Sequence, residues 1–133
     1  MTAKKMLPLF IIGGIGYCLI EIIVRGYTHW SMGLAGGICF VCLYLLYEKM
    51  GGANILLKCA AGALMITGVE LAAGVVFNLW LGMEVWCYSE ELLNLYGQIC
   101  PLYSFYWFLL CIPIMVGFSL PQALAALRFK RQQ

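Results

Sequence analysis

Charged residues are scarce in this chain of 133 residues, of which 11% are charged and 64% are hydrophobic. A soluble domain of this length could not cover its apolar surface with so few charges, and large exposed apolar patches would make it aggregate. One membrane-spanning helix needs about 20 apolar residues, so four helices with short loops use nearly the whole chain. We therefore expect an all-α, polytopic membrane protein with a four-helix transmembrane bundle, forming a single domain over residues 1–133.

The motifs of common enzyme classes are also missing. The sequence contains no Walker A motif, no GxSxG, no HExxH and no glycine-rich dinucleotide fingerprint. His29 is the single histidine, and one histidine alone cannot make a metal site. The formal net charge is only +2, with no basic stripe of the kind that binds nucleic acid. We predict no enzymatic activity, no catalytic residue, no cofactor, no metal and no nucleic-acid partner.

Apolar runs place four spans at about 6–26, 32–48, 56–82 and 101–123. The first run follows two lysines, as a signal peptide does. It is too long for a signal peptide, and no small-residue cleavage site follows it, so we expect it to be retained as a span. The third run is longer than a bilayer requires and should tilt or project on one side.

The positions of the positive charges predict the orientation, because cytoplasmic loops are enriched in lysine and arginine. With four spans, seven cationic residues fall on one side: Lys4, Lys5, Lys49, Lys58, Arg128, Lys130 and Arg131. The loop between spans 3 and 4 lies on the opposite side and carries Glu84, Glu90 and Glu91 without a lysine or arginine. We expect a multi-pass protein of the cell (inner) membrane with cytoplasmic N- and C-termini.

Three charged residues interrupt the apolar spans: Glu21, Arg25 and Glu70. Each costs about 2.5–3.5 kcal/mol on insertion scales, and such residues normally face the interior of the bundle. Positions three or four apart share a helix face, which places Glu21 with Arg25 and sets Glu70 on the same stripe as Asn78. Two interpretations stay open. In the structural one, Glu21 pairs with Arg25 and Glu70 is protonated or hydrogen-bonded. In the functional one, the three residues form a net negative site, open to the outside, that favours a cation or carries protons.

Two further patterns concern helix packing and the outer interface. Trp30, Trp80, Trp86 and Trp107 all fall near the outer ends of the spans. They form either an aromatic belt at the headgroup level or an aromatic-lined cavity that holds an organic cation by cation–π attraction. Glycines cluster in the first three spans, where they allow close helix approach in a tight bundle or on a self-associating face.

Five of the seven cysteines lie within spans, where cysteine behaves as a small apolar residue. Cys39 and Cys42 form a CxxC pattern, but they lie in mid-span without polar neighbours, which argues against redox chemistry. Cys87 and Cys100 both lie in the outer loop and could form a disulfide if that loop faces an oxidising compartment.

Blocks of sequence around spans 1 and 4 resemble those of a known family. They read G-Y-C-L-I-E at 16–21 followed by Arg25 and Gly26, V-W-C-Y-S at 85–89, and L-N-L-Y-G-Q-I-C at 93–100 followed by Ser104 and Trp107. This pattern resembles the CmpB-like permease family, also described as ABC-transporter type IV, although the family's Asp is replaced here by Cys87. The resemblance implies membrane transport. It also groups Trp86, Tyr88, Asn94 and Gln98 with Glu21 and Arg25.

We therefore predict a small transporter-like or channel-like protein that binds a small cationic solute in a polar cavity open to the outside. The predicted binding residues are Glu21, Arg25, Glu70, Asn78, Trp86, Tyr88, Asn94 and Gln98. The loop at 83–101 would be either a lid over the cavity or a plain extracellular loop. The partners would be the lipid bilayer, the solute, and a second copy or a partner membrane subunit. The alternatives are a membrane interaction or regulatory subunit without a substrate, and a membrane thiol–disulfide protein.

Overall fold

A computed structural model describes residues 3–132 of the chain. It contains four long helices: α1 (Ala3–Arg25), α2 (Trp30–Met50), α3 (Ile55–Gly74) and α4 (Pro101–Arg131). A π-helical segment, Val75–Trp80, continues α3. All four helices are long and apolar enough to cross a membrane. The prediction of an all-α, four-span, multi-pass membrane protein is confirmed.

The last helix extends well beyond its predicted span. It ends at Arg131 rather than near 123, and its 31 residues are about 46 Å long at 1.5 Å per residue. The hydrocarbon core of a bilayer is only about 30 Å thick, so the segment 121–131, exposed throughout, projects from the bundle. The span prediction stopped early because it followed hydropathy, whereas backbone hydrogen bonds continue a helix through charged residues.

Side-chain caps and glycines define the helix boundaries. Gly26 adopts a positive φ of 82° just after α1. The side chain of Asn54 caps α3 by accepting a hydrogen bond from the backbone N–H of Leu57 at 2.8 Å. Lys58 Nζ donates to the carbonyl of Gly51 at 2.6 Å and lies 4.0 Å from the centre of the Tyr47 ring. This contact attaches the end of α2 to the first turn of α3.

The helices pack as two hairpins, α1 on α2 and α3 on α4, and α2 joins the hairpins by packing against α3. We call residues 83–100 the outer loop, after the side of the membrane predicted for them. The end of the bundle that carries this loop is the loop end, and the end at which α1 begins and α4 ends is the terminal end. A fully buried core lies towards the terminal end and contains Leu43, Cys59, Cys111 and Met115. This core holds the two hairpins together.

Glycines allow α1 and α2 to approach closely. A Cβ atom added to Gly14 would lie 2.8 Å from the carbonyl oxygen of Gly33. One added to Gly36 would lie 2.6 Å from the Cβ of Tyr17. The structure therefore uses these glycines for packing within the chain, which is the first of the two roles considered for them.

We expect Gly14→Ala to destabilise the protein and Gly16→Ala to leave its stability unchanged or slightly higher. The added methyl group at Gly14 meets backbone that cannot rotate away, which costs about 1–3 kcal/mol. Nothing lies within 4 Å of a Cβ at Gly16, so that substitution only gains helix propensity of up to about 1 kcal/mol. Thermal unfolding in detergent measures both variants, and equal melting temperatures would show that α1 and α2 do not pack this closely.

Candidate functional site

Glu21 and Arg25 form an ion pair on one face of α1. Arg25 Nη1 lies 3.2 Å from Glu21 Oε2, and Glu21 is only 7% exposed. The other terminal nitrogen of Arg25 donates to the Tyr27 hydroxyl at 2.7 Å and to the Val85 carbonyl at 3.2 Å. The guanidinium nitrogens of Arg25 thus already have partners in Glu21 and the outer loop. Within residues 3–132 this is the only salt bridge, so Glu70 has no cationic partner there.

The Glu70 carboxylate is held by two neutral donors. Its Oε1 accepts a hydrogen bond from the Tyr88 hydroxyl at 2.6 Å, and its Oε2 accepts one from Trp107 Nε1 at 3.0 Å. Burial and the adjacent Glu70 carboxylate raise the pKa of the Tyr88 hydroxyl above its ordinary value, so Tyr88 remains a donor. Tyr88 also stacks on Tyr103, with 4.4 Å between ring centroids. The outer loop therefore reaches into the bundle at Glu70.

A buried polar network holds that loop against the end of α3. Asn78, in the π-helical segment, donates to Gln98 Oε1 at 2.8 Å and accepts from the backbone N–H of Val85 at 2.6 Å. Trp86 Nε1 donates to the Gln98 carbonyl at 3.0 Å. A Cβ on Gly74 would lie 2.5 Å from Gln98 Oε1, so only glycine leaves room here. The structure brings Asn78, Trp86 and Gln98 together as the support of the loop.

Asn94 is placed elsewhere. Its side chain donates to the carbonyls of Ser89 and Glu91 and accepts from the backbone N–H of Gly97 at 2.9 Å. These bonds hold a turn at the tip of the loop. Asn94 was grouped with the binding residues because of the family resemblance, and in this fold its polar atoms are used by the loop itself.

A cavity of about 240 Å³ lies between the hairpins beside Glu70. Apart from the Glu70 carboxylate its wall is almost entirely apolar or aromatic, with residues from all four helices and Trp86 from the loop. Glu21 and Arg25 are not part of the wall. The structure therefore does not bring Glu21, Arg25 and Glu70 together around one polar cavity, because the ion pair directs two of the three charged groups to each other.

Two of the four tryptophans line the cavity, and the other two are exposed as residues of an interfacial belt would be. Trp86 and Trp107 line the cavity. Trp30 and Trp80 are 64% and 78% exposed, as expected of an interfacial belt. Tyr17, which sequence reasoning did not select, also lines the cavity, and its ring centroid lies 5.9 Å from that of Trp107. Its position one turn before Glu21, on the same helix face, is the signal that could have identified it.

The family model described as "Putative ABC-transporter type IV" matches residues 6–132. The chain belongs to this family. No curated protein and no solved structure matches the chain. The match covers all four helices and the loop, and it confirms the resemblance seen in the sequence around Glu21 and between residues 85 and 107.

The two cysteines of the outer loop are both free thiols in this member of the ABC-transporter type IV family. Cys100 is buried where α4 begins, whereas Cys87 is exposed and its sulfur contacts the Ser89 hydroxyl at 2.8 Å. The structure does not join their sulfur atoms in the disulfide that the sequence allows, because the loop turns the two side chains into different environments. The contact with Ser89 lowers the pKa of the Cys87 thiol below its ordinary value. Over residues 3–132, no group of three or more His, Cys, Asp or Glu side chains is placed to hold a metal ion.

Proposed function

We propose that this member of the ABC-transporter type IV family transports a small organic cation with an apolar body and binds it at Glu70. The observation that carries the proposal is an acidic side chain in the wall of an otherwise apolar, aromatic cavity, with no salt-bridge partner in the described part of the chain, residues 3–132. Family membership supports a transport role at a general level. The substrate class follows from the chemistry of the cavity wall.

The cavity wall favours an alkylated ammonium over a bare metal ion. A metal ion would need several oxygen ligands, and Glu70 is the only carboxylate in the wall. The faces of Tyr17, Trp86 and Trp107 can attract an ammonium group through cation–π interaction, while its alkyl groups contact the aliphatic side chains. Charge attraction between Glu70 and the ligand would be strong because the wall around them is apolar.

A second candidate function rests on a different observation. Both oxygens of Glu70 already accept hydrogen bonds from Tyr88 and Trp107, so the bundle needs no ligand to satisfy them. On this basis the chain would be an interaction or regulatory subunit of a membrane complex, in which Glu70 fixes the loop for contact with a second copy or a partner subunit.

We expect benzyltrimethylammonium to bind the wild-type protein and to lose at least about tenfold in affinity with Glu70→Gln, because leaving one partner of a buried charge pair unpaired costs roughly 2–5 kcal/mol. Tryptophan fluorescence of protein in nanodiscs measures the binding, since two tryptophans line the cavity. Neopentylbenzene has the same shape without the charge and should bind weakly to both proteins.

Glu48→Gln is the matched control for this experiment. Glu48 also accepts a hydrogen bond from a tyrosine, Tyr44, but it is exposed and lies away from the cavity. The Glu48→Gln variant should bind benzyltrimethylammonium with the same affinity as the wild type. Equal affinity in all three proteins would remove Glu70 from the site. If benzyltrimethylammonium does not bind the wild type, and Glu70→Gln only lowers stability, the result would favour the second candidate function, an interaction subunit.

We also propose that the protein lies in the cell membrane with its terminal end in the cytoplasm. Seven of the eight lysine and arginine residues occupy or flank the terminal end, and Arg25 is the exception. The loop end carries Glu84, Glu90 and Glu91. This distribution follows the tendency of cationic residues to stay on the cytoplasmic side.

Labelling of Cys87 tests this orientation. A membrane-impermeant maleimide added to intact cells at neutral pH should modify Cys87, because this thiol is exposed and its lowered pKa increases the thiolate fraction. Cys87→Ser should abolish the labelling, since the other six cysteines are buried or half-buried. Modification that occurs only after the cells are lysed would place the loop in the cytoplasm.

A further inference from the structure

The cavity lies between two helices that do not pack closely. Over residues 3–132, α1 packs on α2 and α4 packs on α3, whereas α1 and α4 are not among the helix pairs in extensive contact. Tyr17 and Trp107 approach each other across this gap. Both helices supply the cavity wall on either side of the gap, through Ile12, Gly16 and Ile20 on α1 and Leu110 and Ile114 on α4.

The wall residues at the two ends of the cavity are buried, whereas some of those along its side are exposed. Trp86, from the outer loop, is 7% exposed, and Leu43, towards the terminal end, is 2% exposed. In contrast, Ile12 and Ile20 are 58% and 40% exposed although they also line the cavity. They lie two turns apart in the middle of a membrane-spanning helix. We take this exposed side of the wall, at the depth of the lipid hydrocarbon, as the side opening of the cavity.

We infer that the ligand is a cationic amphiphile that enters from the lipid phase, with its ammonium head at Glu70 and its apolar chain passing between α1 and α4. This inference rests on the proposed function and specifies its substrate class and route. Charge complementarity with Glu70 selects the head. The ligand's apolar chain, once it passes through the side opening, contacts lipid tails and aliphatic side chains. It therefore needs no space inside the cavity.

Gly16 lies at this opening and allows a specific test. Nothing lies within 4 Å of a Cβ at Gly16, so a larger side chain has room but would occupy the path of the ligand's chain. Gly68 is the matched control, because it is also in a helix interior with open space around it, is exposed, and does not line the cavity.

The experiment measures saturable binding of radiolabelled octyltrimethylammonium and tetramethylammonium to protein in nanodiscs, for the wild type and for Gly16→Leu, Gly68→Leu and Glu70→Gln. We expect Gly16→Leu to weaken binding of the octyl compound by about tenfold or more, as added bulk does in a filled site. Tetramethylammonium, which is the head alone, should change far less. Gly68→Leu should behave as the wild type, and Glu70→Gln should lose both ligands. If Gly16→Leu melts at a lower temperature than the wild type, Gly16→Ala is used in its place and should weaken binding of the octyl compound to an intermediate extent.

The outcomes separate this inference from the function on which it rests. If tetramethylammonium binds through Glu70 but the octyl compound does not bind, the cavity has no usable side opening and the inference is wrong while the proposed function stands. The same conclusion follows if Gly16→Leu and Gly68→Leu bind the octyl compound equally well. If neither compound shows saturable binding that depends on Glu70, the proposed function fails as well.

Discussion

The central constraint in this protein is a carboxylate in a membrane-spanning helix that has no salt-bridge partner among residues 3–132. Glu70 is satisfied by two neutral donors, Tyr88 from the outer loop and Trp107 from α4. An unsatisfied polar group at this depth would cost several kcal/mol, so the need to supply these donors governs the surrounding structure. The loop folds back into the bundle, α4 turns an indole inwards, and a cavity remains beside the carboxylate.

Other polar side chains near the cavity pair with each other, and neither of these pairs includes Glu70. Glu21 and Arg25 pair with each other, and Arg25 also contacts the loop through the Val85 carbonyl. Asn78 and Gln98 bond to each other and fix the base of the loop. Because these groups satisfy one another, the cavity wall is left apolar except for one acidic side chain. That combination is the basis of our proposal that the ligand is an organic cation rather than a metal ion or a neutral solute.

Much of the fold could be predicted from the sequence because its determinants are local. Hydropathy over about 20 residues locates a span, and a spacing of four residues places Glu21 and Arg25 on one helix face. The composition of the cavity could not be predicted in this way. It depends on whether Arg25 pairs with Glu21 or Glu70. It also depends on a contact between Tyr88 in the irregular loop and Glu70 in α3, two residues that a π-helical segment separates in the chain. The sequence leaves the pairing of Cys87 with Cys100 open for the same reason, since sequence spacing says nothing about the direction in which the two side chains point.

The contact between Tyr88 and Glu70 can be measured most directly with a double-mutant cycle of Tyr88→Phe and Glu70→Gln, using the free energy of unfolding in mixed micelles. We predict a coupling energy of about 1–3 kcal/mol, because Tyr88→Phe leaves one carboxylate oxygen without its donor and Glu70→Gln leaves one neutral acceptor oxygen for two donors, Tyr88 and Trp107. The exposed pair of Tyr44 and Glu48, joined by a hydrogen bond of 2.8 Å, provides the matched cycle and should couple by less than about 1 kcal/mol. A coupling energy near zero between Tyr88 and Glu70 would contradict this account, because the outer loop would then not reach the carboxylate that the rest of the site depends on.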